Sequence, residues 1–425
     1  MARLADLARR PGFMLAVVVA GALAARLALM LGGLNRLDDP DHYLNLARSL
    51  AEGRGFALDG RPTAYRPPLY PILLVPFVAT LGLETLPWGV GALHLALGAG
   101  AVLLTYRAAT RMGLSTRRAL VAAAVVAFDP VLAAQGRSVM TETPAAFLVA
   151  ATLAAVAEPG LRGAIFGGVG LGLACLCRPS FLPVAGLVSL SALLPGPGNA
   201  RTRLVRSCLL ILATALVLTP WAWRNARVFG EPVLTTTHGG YTLALANNPV
   251  YYAEVLDGPP GAVWSGPNQA AWFAGVGRTT AGMSEPEADR AMRSEALRML
   301  RERPLDFARA SAARLARFWG LAPSAAVYPW WLRLASAAWT APLWLALAWG
   351  LASPTSWRWP GVVASAFLLA LTAIHCVYWT DQRMRAPLVP AIALIAAGGR
   401  SFRAGVMRDD RSDLTETQGW IPPGR

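Results

Sequence analysis

Long apolar segments alternate with short polar connections along most of the chain. The apolar segments run approximately over residues 13–33, 87–108, 118–135, 142–157, 162–177, 179–196, 207–223, 329–352, 360–379 and 386–399. A transmembrane helix needs roughly 17–25 mostly apolar residues, and most of these segments reach that length. The pattern therefore predicts an all-α, polytopic membrane protein whose bundle has about ten transmembrane helices.

Two polar stretches between the apolar segments are long enough to form substantial loops. With the N-terminus in the cytoplasm, both loops are outside: the first over residues 34–68 and a large one over 224–328. Residues 68–83 are apolar but contain three prolines, which favours a re-entrant or interfacial helix on the outer side over a crossing. We expect residues 1–400 to form one membrane unit, and the polar tail, 401–425, to be cytoplasmic and disordered.

The composition and the distribution of charge set the expected location. The chain is 55% hydrophobic and only 15% charged, whereas about a quarter of the residues are charged in a soluble domain, so an ordinary soluble enzyme is excluded. Its net charge is +15, and arginines cluster at the ends of apolar segments, as in the loops 107–118 and 198–206. Because cytoplasmic loops carry an excess of basic residues, we expect both termini in the cytoplasm. We therefore expect the arginines to contact the lipid bilayer of the inner (plasma) membrane and not nucleic acid.

The later part of the large outer loop has the periodicity of an amphipathic helix. Over residues 285–319, Arg309, Arg314 and Arg317 share a helix with several aromatic residues. A helix of this kind lies in the membrane interface, and its arginines reach the lipid head groups. We therefore expect these three arginines to be lipid anchors.

Three carboxylates follow the outer end of the first apolar segment. They are Asp38, Asp39 and Asp41. Carboxylates at a partly desolvated membrane surface can serve as general bases or metal ligands, because their surroundings shift their pKa. The alternative is a solvated acidic turn that caps the helix beginning near Tyr43, since Asp is a favoured helix N-cap.

Short sequence elements follow one another along the chain from Asp39 to Pro390. They read DPDHY, GRPTAYRPPLYP, MTET, CRPS, PWAWRN, VFGEPVLTTTHGGYTLALANNP and DQRMRAPLVP. In this order they resemble the GT-C glycosyltransferases, integral membrane enzymes related to the protein O-mannosyltransferases and to the aminoarabinose transferase of lipid A. The resemblance implies a GT-C-like helical bundle with interfacial helices on its outer face.

The resemblance also implies a reaction. Such an enzyme transfers a sugar from a polyprenyl-phosphate donor to an acceptor, here a cell-envelope glycan, a lipid or a protein, on the outer face and with inversion. The loop-one aspartate is the catalytic base of the family, and it corresponds to Asp39. Glu142 would orient the acceptor or a metal, or alternatively would only begin its helix as an acidic first-turn residue. The separate roles of Asp38 and Asp41 stay open.

The phosphate of such a donor needs cations near the outer membrane surface. Arginine binds phosphate oxygens in a bidentate manner, and ionisable residues in membrane segments usually face the bundle interior. The candidates for the donor phosphate are Arg178, Arg224, Arg383 and Arg385, with snorkelling to lipid head groups as the alternative for each. The candidates for binding the sugar or the acceptor are Tyr43, Arg66, Asn225, Asn247 and Asn248.

The sequence contains no motif for a cofactor. Neither H-x-x-x-H nor H-E-x-x-H nor a Gly-rich phosphate loop occurs, which disfavours a zinc site and a nucleotide-sugar donor. A divalent cation held by Asp39, Glu142 and a histidine stays an open alternative. Two other function classes also stay open: a transporter or flippase for a lipid-linked or anionic solute, and a non-catalytic membrane subunit.

Overall fold

Apolar α-helices make up most of the structure. The computed structural model describes residues 10–32, 39–258, 262, 264 and 266–399, so Asp38 and the tail over 401–425 lie outside the described residues. In chain order the helices are α1 Pro11–Leu31, α2 Tyr43–Ala51, α3 Leu69–Thr80, α4 Leu86–Arg111, α5 Thr116–Phe128, α6 Pro130–Gln135, α7 Glu142–Val156, α8 Leu161–Cys177, α9 Phe181–Ser191, α10 Ala200–Phe229, α11 Gly239–Ala246, α12 Pro249–Tyr251, α13 Pro267–Thr279, α14 Glu285–Glu302, α15 Pro304–Phe318, α16 Trp330–Leu351, α17 Gly361–Val377 and α18 Val389–Gly398. A π-helical turn covers Tyr252–Leu256, and 3-10 segments cover Pro354–Trp357 and Gln382–Leu388.

Helices lie at every apolar segment of the sequence, which confirms the prediction of an all-α polytopic fold. By length and composition, α1, α4, α10 and α16 are long and apolar enough to cross a membrane. The segment predicted over 118–135 is divided, because α5 ends at Phe128 and α6 begins at Pro130, with Asp129 between them. Asp129 caps α6 by accepting the amide of Leu132 at 2.8 Å, and Pro130 has no amide proton with which to continue α5. The number of crossings stays a prediction.

The bundle is built around α7, which packs between α4 and α8. In turn, α8 packs against α10 through glycines. A Cβ atom at Gly168 would lie 2.6 Å from the carbonyl oxygen of Leu210, and one at Gly172 would lie 2.6 Å from Cβ of Val217. Small residues permit this close approach in membranes, where helices associate by packing and not by the hydrophobic effect. The packing places the start of α7 beside the end of α8.

A second, smaller apolar cluster lies where the first outer loop meets the bundle. Helices α2 and α3 pack against each other, and α3 also contacts α4. The buried members of this cluster are Tyr43, Ala47, Tyr70, Leu74, Leu86, Val90, Val139 and Met140. The 12 residues of α3 extend over about 18 Å, which is too short for a hydrocarbon core of about 30 Å. This length agrees with a re-entrant or interfacial helix.

A short β-hairpin completes the first outer loop. Its strands are β1 Ala57–Leu58 and β2 Arg61–Pro62, and they pair in antiparallel register. The turn residues Asp59 and Gly60 have φ values of 48° and 74°. Two-residue turns with positive φ at both positions favour Asp-Gly, because glycine has no Cβ to clash there.

Glu285 connects the two outer loops. Its Oε2 accepts a hydrogen bond from the amide of Ala64 and another from the hydroxyl of Thr237, each at 2.9 Å. Glu285 begins α14, which packs against α11. The described residues of the loop over 224–328 therefore form a helical layer that is joined to the first loop.

Arg314 is not a lipid anchor, so the prediction from the amphipathic pattern was wrong for this residue. Its side chain is only 1% exposed. Nε donates to the carbonyl of Cys376 and Nη1 to that of Ala246, each at 2.8 Å. Burial lowers the pKa of this guanidinium. Arg309, on the same helix, is exposed and pairs with Asp257 at 2.9 Å.

Removing Arg314 should destabilise the protein, whereas removing Arg309 should not. The substitution Arg314→Ala leaves the carbonyl of Ala246 without its donor, although Ser311 still donates to that of Cys376, and an unsatisfied buried acceptor costs about 1–3 kcal/mol. The exposed ion pair of Arg309 contributes little. Thermal unfolding of both alanine variants in one detergent measures the difference. Equal apparent melting temperatures would contradict the claim that the hydrogen bonds of Arg314 stabilise the packing of α15 against its neighbours.

Thiol labelling tests the orientation in the membrane. In a cysteine-free background, Asn268→Cys should react with an impermeant thiol reagent outside intact cells, and Thr116→Cys should react only after permeabilisation. Both positions are exposed, Asn268 in the large outer loop and Thr116 at an arginine-rich start of a helix. The reverse labelling pattern would overturn the predicted orientation.

Candidate active site

Glu142 is the centre of a buried charge cluster at the start of α7. Its side chain is 0% exposed, and Arg178 Nη1 lies 3.1 Å from Glu142 Oε1. Arg383 Nε lies 4.0 Å from the same oxygen. Burying a carboxylate is costly unless a cation compensates its charge, and these two arginines supply that compensation.

Arg178 reaches Glu142 because α8 ends there. The backbone of Arg178 is extended (φ −147°, ψ 118°), and Pro179 follows it without an amide proton for another helical hydrogen bond. The guanidinium also donates to Thr141 Oγ1 at 3.1 Å, and its Nη2 lies 2.7 Å from Met384 Sδ. The helix break that the CRPS element indicates therefore turns this side chain into the protein.

The two carboxylate oxygens of Glu142 are exceptions to the rule that buried polar atoms are hydrogen-bonded. Within the part of the chain that the structure describes, neither oxygen has a hydrogen-bond partner with normal geometry. Arg178 therefore contributes charge at 3.1 Å and not a well-directed hydrogen bond. Each oxygen is available to accept a hydrogen bond from a hydroxyl group.

The described residues bring together no ligand set for a metal ion. Among the described residues, no group of three or more His, Cys, Asp or Glu side chains is placed to hold one. The cations that face Glu142 are Arg178 and Arg383. His42, the histidine nearest to Asp39 in the sequence, is exposed, and its side chain lies beside that of Asn45.

Asp39 accepts two backbone hydrogen bonds at the start of α2. Oδ1 accepts from the amide of Tyr43 at 2.9 Å, and Oδ2 accepts from that of Leu44 at 2.8 Å. Asp39 is half-buried, and burial raises the pKa of its carboxyl, although the two amide hydrogen bonds oppose that rise. Asp39 therefore caps the first turn of α2, as the alternative interpretation of the acidic turn predicts. Each carboxylate oxygen keeps a second lone pair, so capping leaves Asp39 able to take up a proton.

Tyr43 and Tyr70 pack against each other near the starts of α2 and α3. Both tyrosines are buried, and their rings meet edge-on with centroids 5.2 Å apart. Burial raises the pKa of Tyr70 well above its usual value, and the charges of Asp39 and Glu142 add to that rise. Both carboxylates are therefore close enough to act on one side chain.

Asp41 and Arg66 form an ion pair in the same loop. Arg66 Nη2 lies 2.7 Å from Asp41 Oδ1, and its Nη1 lies 3.3 Å from His238 Nε2. Burial and the neighbouring guanidinium hold the pKa of His238 well below its usual value, so the ring is neutral and can accept from Arg66. Asp41 is thus paired with a cation, whereas Asp39 is held by backbone amides.

Arg224 holds the first outer loop in place. Its Nη1 donates to the carbonyl of Thr63 at 2.7 Å, and its Nη2 donates to that of Phe56 at 2.8 Å. The residue also lines a cavity of about 410 Å³. The cavity lining is mostly apolar and consists of Leu50, Arg54, Gly55, Phe56, Pro62, Ile72, Trp221, Arg224 and Val228. The contact of Arg224 with phosphate stays a prediction.

Arg385 is buried and holds the end of α15. Its Nη1 donates to the carbonyls of Phe318 and Gly320, and its guanidinium lies over the ring of Trp344 at 4.9 Å. The last carbonyls of a helix lack partners within it, and Arg385 supplies donors to this end. Nη1 of Arg385 is thus engaged by two carbonyls inside the protein. Arg383 is half-buried and faces the charge cluster instead.

The three asparagines predicted to bind sugar or acceptor are engaged within the protein. Asn225 donates to the carbonyl of Val233 at 3.0 Å, and Asn247 donates to two carbonyls at 2.8 and 2.9 Å. Asn248 accepts the amide of Tyr251 at 2.8 Å and so caps α12. These bonds give all three a structural role, and sugar binding by them stays a prediction without support from the geometry.

Sequence reasoning missed two polar residues that border the site. Thr141 accepts from Arg178, and His94 is hydrogen-bonded to Tyr70 at 2.8 Å. The sequence signal for His94 is weak, because a single histidine in an apolar helix is most often a core residue. The MTET element does point to the neighbourhood of Thr141, but nothing in it indicates the contact with Arg178.

Two sequence comparisons bear on this arrangement. The sequence model of the family described as dolichyl-phosphate-mannose-protein mannosyltransferase matches residues 82–229. That range includes α7, α8 and α10, and with them Glu142, Arg178 and Arg224. No curated protein gives a significant match to the chain.

Solved structures share the fold. The Archaeoglobus fulgidus oligosaccharyltransferase, tethered with an acceptor peptide that contains the NVT sequon, matches 90% of this chain with a TM-score of 0.54 and 15% identity. The oligosaccharyltransferase AglB of that organism, in complex with an inhibitory peptide and a dolichol-phosphate, matches 90% with a TM-score of 0.54 and 14% identity. ArnT from Cupriavidus metallidurans, bound to undecaprenyl phosphate, matches 91% of this chain and 77% of its own, with a TM-score of 0.44 and 16% identity.

These findings confirm the resemblance to GT-C proteins that the sequence elements indicate. The chain has the fold of a GT-C polytopic membrane protein. It covers 48% and 49% of the two oligosaccharyltransferase chains, so it has about half their length. At such identities the likeness establishes the fold and not the reaction.

Proposed function

We propose that this protein is an integral membrane glycosyltransferase that moves a sugar from a polyprenyl-phosphate donor to an acceptor hydroxyl. The observation that carries the proposal is the buried Glu142 that faces Arg178 and Arg383, together with Asp39 at the start of α2, because both carboxylates act on the buried Tyr70. Such a transfer requires a base for the acceptor and cations for a phosphate leaving group. The match of residues 82–229 to a mannosyltransferase family supports the same reaction class.

The donor phosphate would lie at Arg178 and Arg383. The Arg383 side chain is 31% exposed, so a ligand can reach it, and its guanidinium already faces the cluster. Glu142 would keep the two like charges together before the donor binds. The two carboxylate oxygens, which accept no hydrogen bond from the residues that the structure describes, would then accept hydrogen bonds from hydroxyl groups of the sugar or the acceptor.

The lipid tail of the donor needs an apolar surface that is open to the bilayer. The cavity beside Arg224 has mostly apolar walls, and Ile72 and Val228 in its lining are 51% and 40% exposed. Arg224 adds a cation to these walls. The combination of apolar lining and cation supports a donor that carries both a prenyl chain and a phosphate.

Asp39 would act as the general base. Its carboxylate takes the proton of the acceptor hydroxyl while that oxygen attacks the anomeric carbon of the donor sugar. The bond from the anomeric carbon to the phosphate oxygen breaks, and the electron pair leaves with the polyprenyl phosphate, whose charge the arginines stabilise. A single displacement inverts the anomeric centre and needs no second carboxylate as a nucleophile.

The acceptor and the cellular setting are further parts of this proposal. The acceptor would be a cell-envelope glycan, a lipid or a protein, reached from the outer face of the inner membrane. A transporter or flippase gains no support from the family match or from the structural relatives. A non-catalytic subunit would not need a carboxylate that can take up a proton beside a phosphate site.

Replacing the base tests the reaction. Asp39→Asn should lower kcat by about 10²–10⁴-fold, the usual contribution of general-base catalysis, while the protein still folds. Asp59→Asn is the matched control, because Asp59 is an exposed aspartate of the same loop and Asn also tolerates a positive φ. Wild-type turnover in purified Asp39→Asn would contradict the assignment of Asp39 as the general base.

The pH profile of the wild-type enzyme checks the same carboxyl. A base acts when deprotonated, so kcat should be lost as the pH falls through the pKa of Asp39 in the complex. Because burial raises that pKa, the acid limb should lie above the usual Asp value of about 4. The limb should be absent from the residual activity of Asp39→Asn.

Removing an arginine that is proposed to bind the donor phosphate should lower the affinity for the donor. A charge-assisted hydrogen bond contributes about 1.5–3 kcal/mol, so Arg383→Ala should raise the donor KM by about tenfold to a hundredfold. Arg309→Ala, at an exposed arginine that pairs with Asp257, is the control. The donor concentration dependence of both variants is measured in matched micelles. An equal rise in donor KM in the two variants would mean that the phosphate binds elsewhere.

A further inference from the structure

A hydrogen-bonded pair, Tyr70 and His94, lies buried beside the candidate site. The Tyr70 hydroxyl is 2.8 Å from His94 Nε2, and His94 Nδ1 is 3.1 Å from the carbonyl oxygen of Gly136. Tyr70 is 0% exposed and His94 is 1% exposed. A carbonyl only accepts, so Nδ1 carries a proton and donates it to Gly136, while Nε2 accepts from the Tyr70 hydroxyl. Both ring nitrogens and the hydroxyl are therefore satisfied.

The surroundings of this pair are apolar. Tyr70 belongs to the cluster that joins α2, α3 and α4 to Val139 and Met140, the residues just ahead of α7. Hydrophobic contacts are non-directional, so such a cluster could be filled in more than one arrangement. A fully satisfied buried polar pair, in contrast, specifies a single arrangement of the elements that carry it.

The pair contacts the two segments that carry the carboxylates. The ring of Tyr70 meets the ring of Tyr43 edge-on at 5.2 Å, and the amide of Tyr43 donates to Asp39 at 2.9 Å. At the other end, His94 holds Gly136, which precedes Glu142 by six residues in the chain. A continuous series of contacts thus runs from the Asp39 segment to the Glu142 segment.

We infer that Tyr70 and His94 are positioning residues, which hold Asp39 at a defined place relative to Glu142 and its arginines. The catalytic consequence rests on the proposed function, whereas the structural consequence does not. Neither residue would contact the reacting atoms. A misplacement of about 1 Å in an active site can cost about a hundredfold in rate, so small errors in this alignment matter.

Substitutions that separate shape from hydrogen bonding test the inference. Tyr70→Phe keeps the ring and removes the hydroxyl, His94→Leu removes both nitrogens, and His94→Gln keeps a donor and an acceptor. Tyr70→Phe and His94→Leu should lower kcat by about 10–100-fold. Donor KM should stay within about twofold, because the arginines are untouched. His94→Gln should restore most of kcat. Tyr106→Phe, about 18 Å further along α4, is the control.

A second readout does not depend on activity. Backbone amide exchange over residues 43–51 should become at least about threefold faster in Tyr70→Phe and His94→Leu, and not in His94→Gln or Tyr106→Phe. The acid limb of kcat should also move to higher pH in the first two variants. The reason is that the amide hydrogen bonds which oppose the rise in the pKa of Asp39 become weaker.

The outcomes separate positioning from mere stability and from failure of the proposed function. Unchanged kcat and exchange in Tyr70→Phe and His94→Leu would overturn the inference. So would a lower yield of folded protein with unchanged kcat and acid limb. If the wild type transferred no sugar but exchange changed as expected, the proposed function would fail and the positioning of the Asp39 segment would stand.

Discussion

The burial of a carboxylate between helix ends is the constraint on which the site depends. Glu142 is fully enclosed, so its charge requires cations at close range, and Arg178 at 3.1 Å is the nearer of two. That contact requires α8 to end at Arg178, which the following Pro179 ensures. It also requires the 3-10 segment Gln382–Leu388 to bring Arg383 to the same oxygen. Three distant parts of the chain therefore meet at one side chain.

Five arginines at loops and helix ends form two groups, according to what their guanidinium groups contact. Arg224, Arg314 and Arg385 donate to backbone carbonyls and so join loops and helix ends. Near a bilayer, backbone groups that leave a helix must find partners within the protein, and an arginine with five donors can supply several. Arg178 and Arg383 instead face a carboxylate. Arg178 and Arg383 thus direct positive charge toward Glu142, whereas the other three hold backbone groups.

The helical fold could be predicted because the length and spacing of apolar residues are local properties of a sequence. The division at Asp129 was missed, since the apolar character continues on both sides of it. The environment of Arg314 was misjudged because its partner Cys376 is 62 residues away, and an amphipathic pattern does not identify a partner. The sequence could suggest Asp39 and Glu142 through short elements of a family. It could not reveal that Tyr70 and His94 connect their segments, because that link depends on packing between separate helices.

Transfer of a labelled sugar by the purified protein in detergent tests the central claim most directly. The assay supplies a polyprenyl-phosphate-linked radiolabelled sugar and an extract of cell-envelope components. The account predicts that label moves to an acceptor, that polyprenyl phosphate is released in equal amount, and that the new glycosidic bond has the opposite anomeric configuration. A transporter acts between two compartments, so it would transfer no label to an acceptor in micelles. Absence of transfer in detergent, together with movement of the lipid-linked sugar across the bilayer of proteoliposomes, would contradict the account.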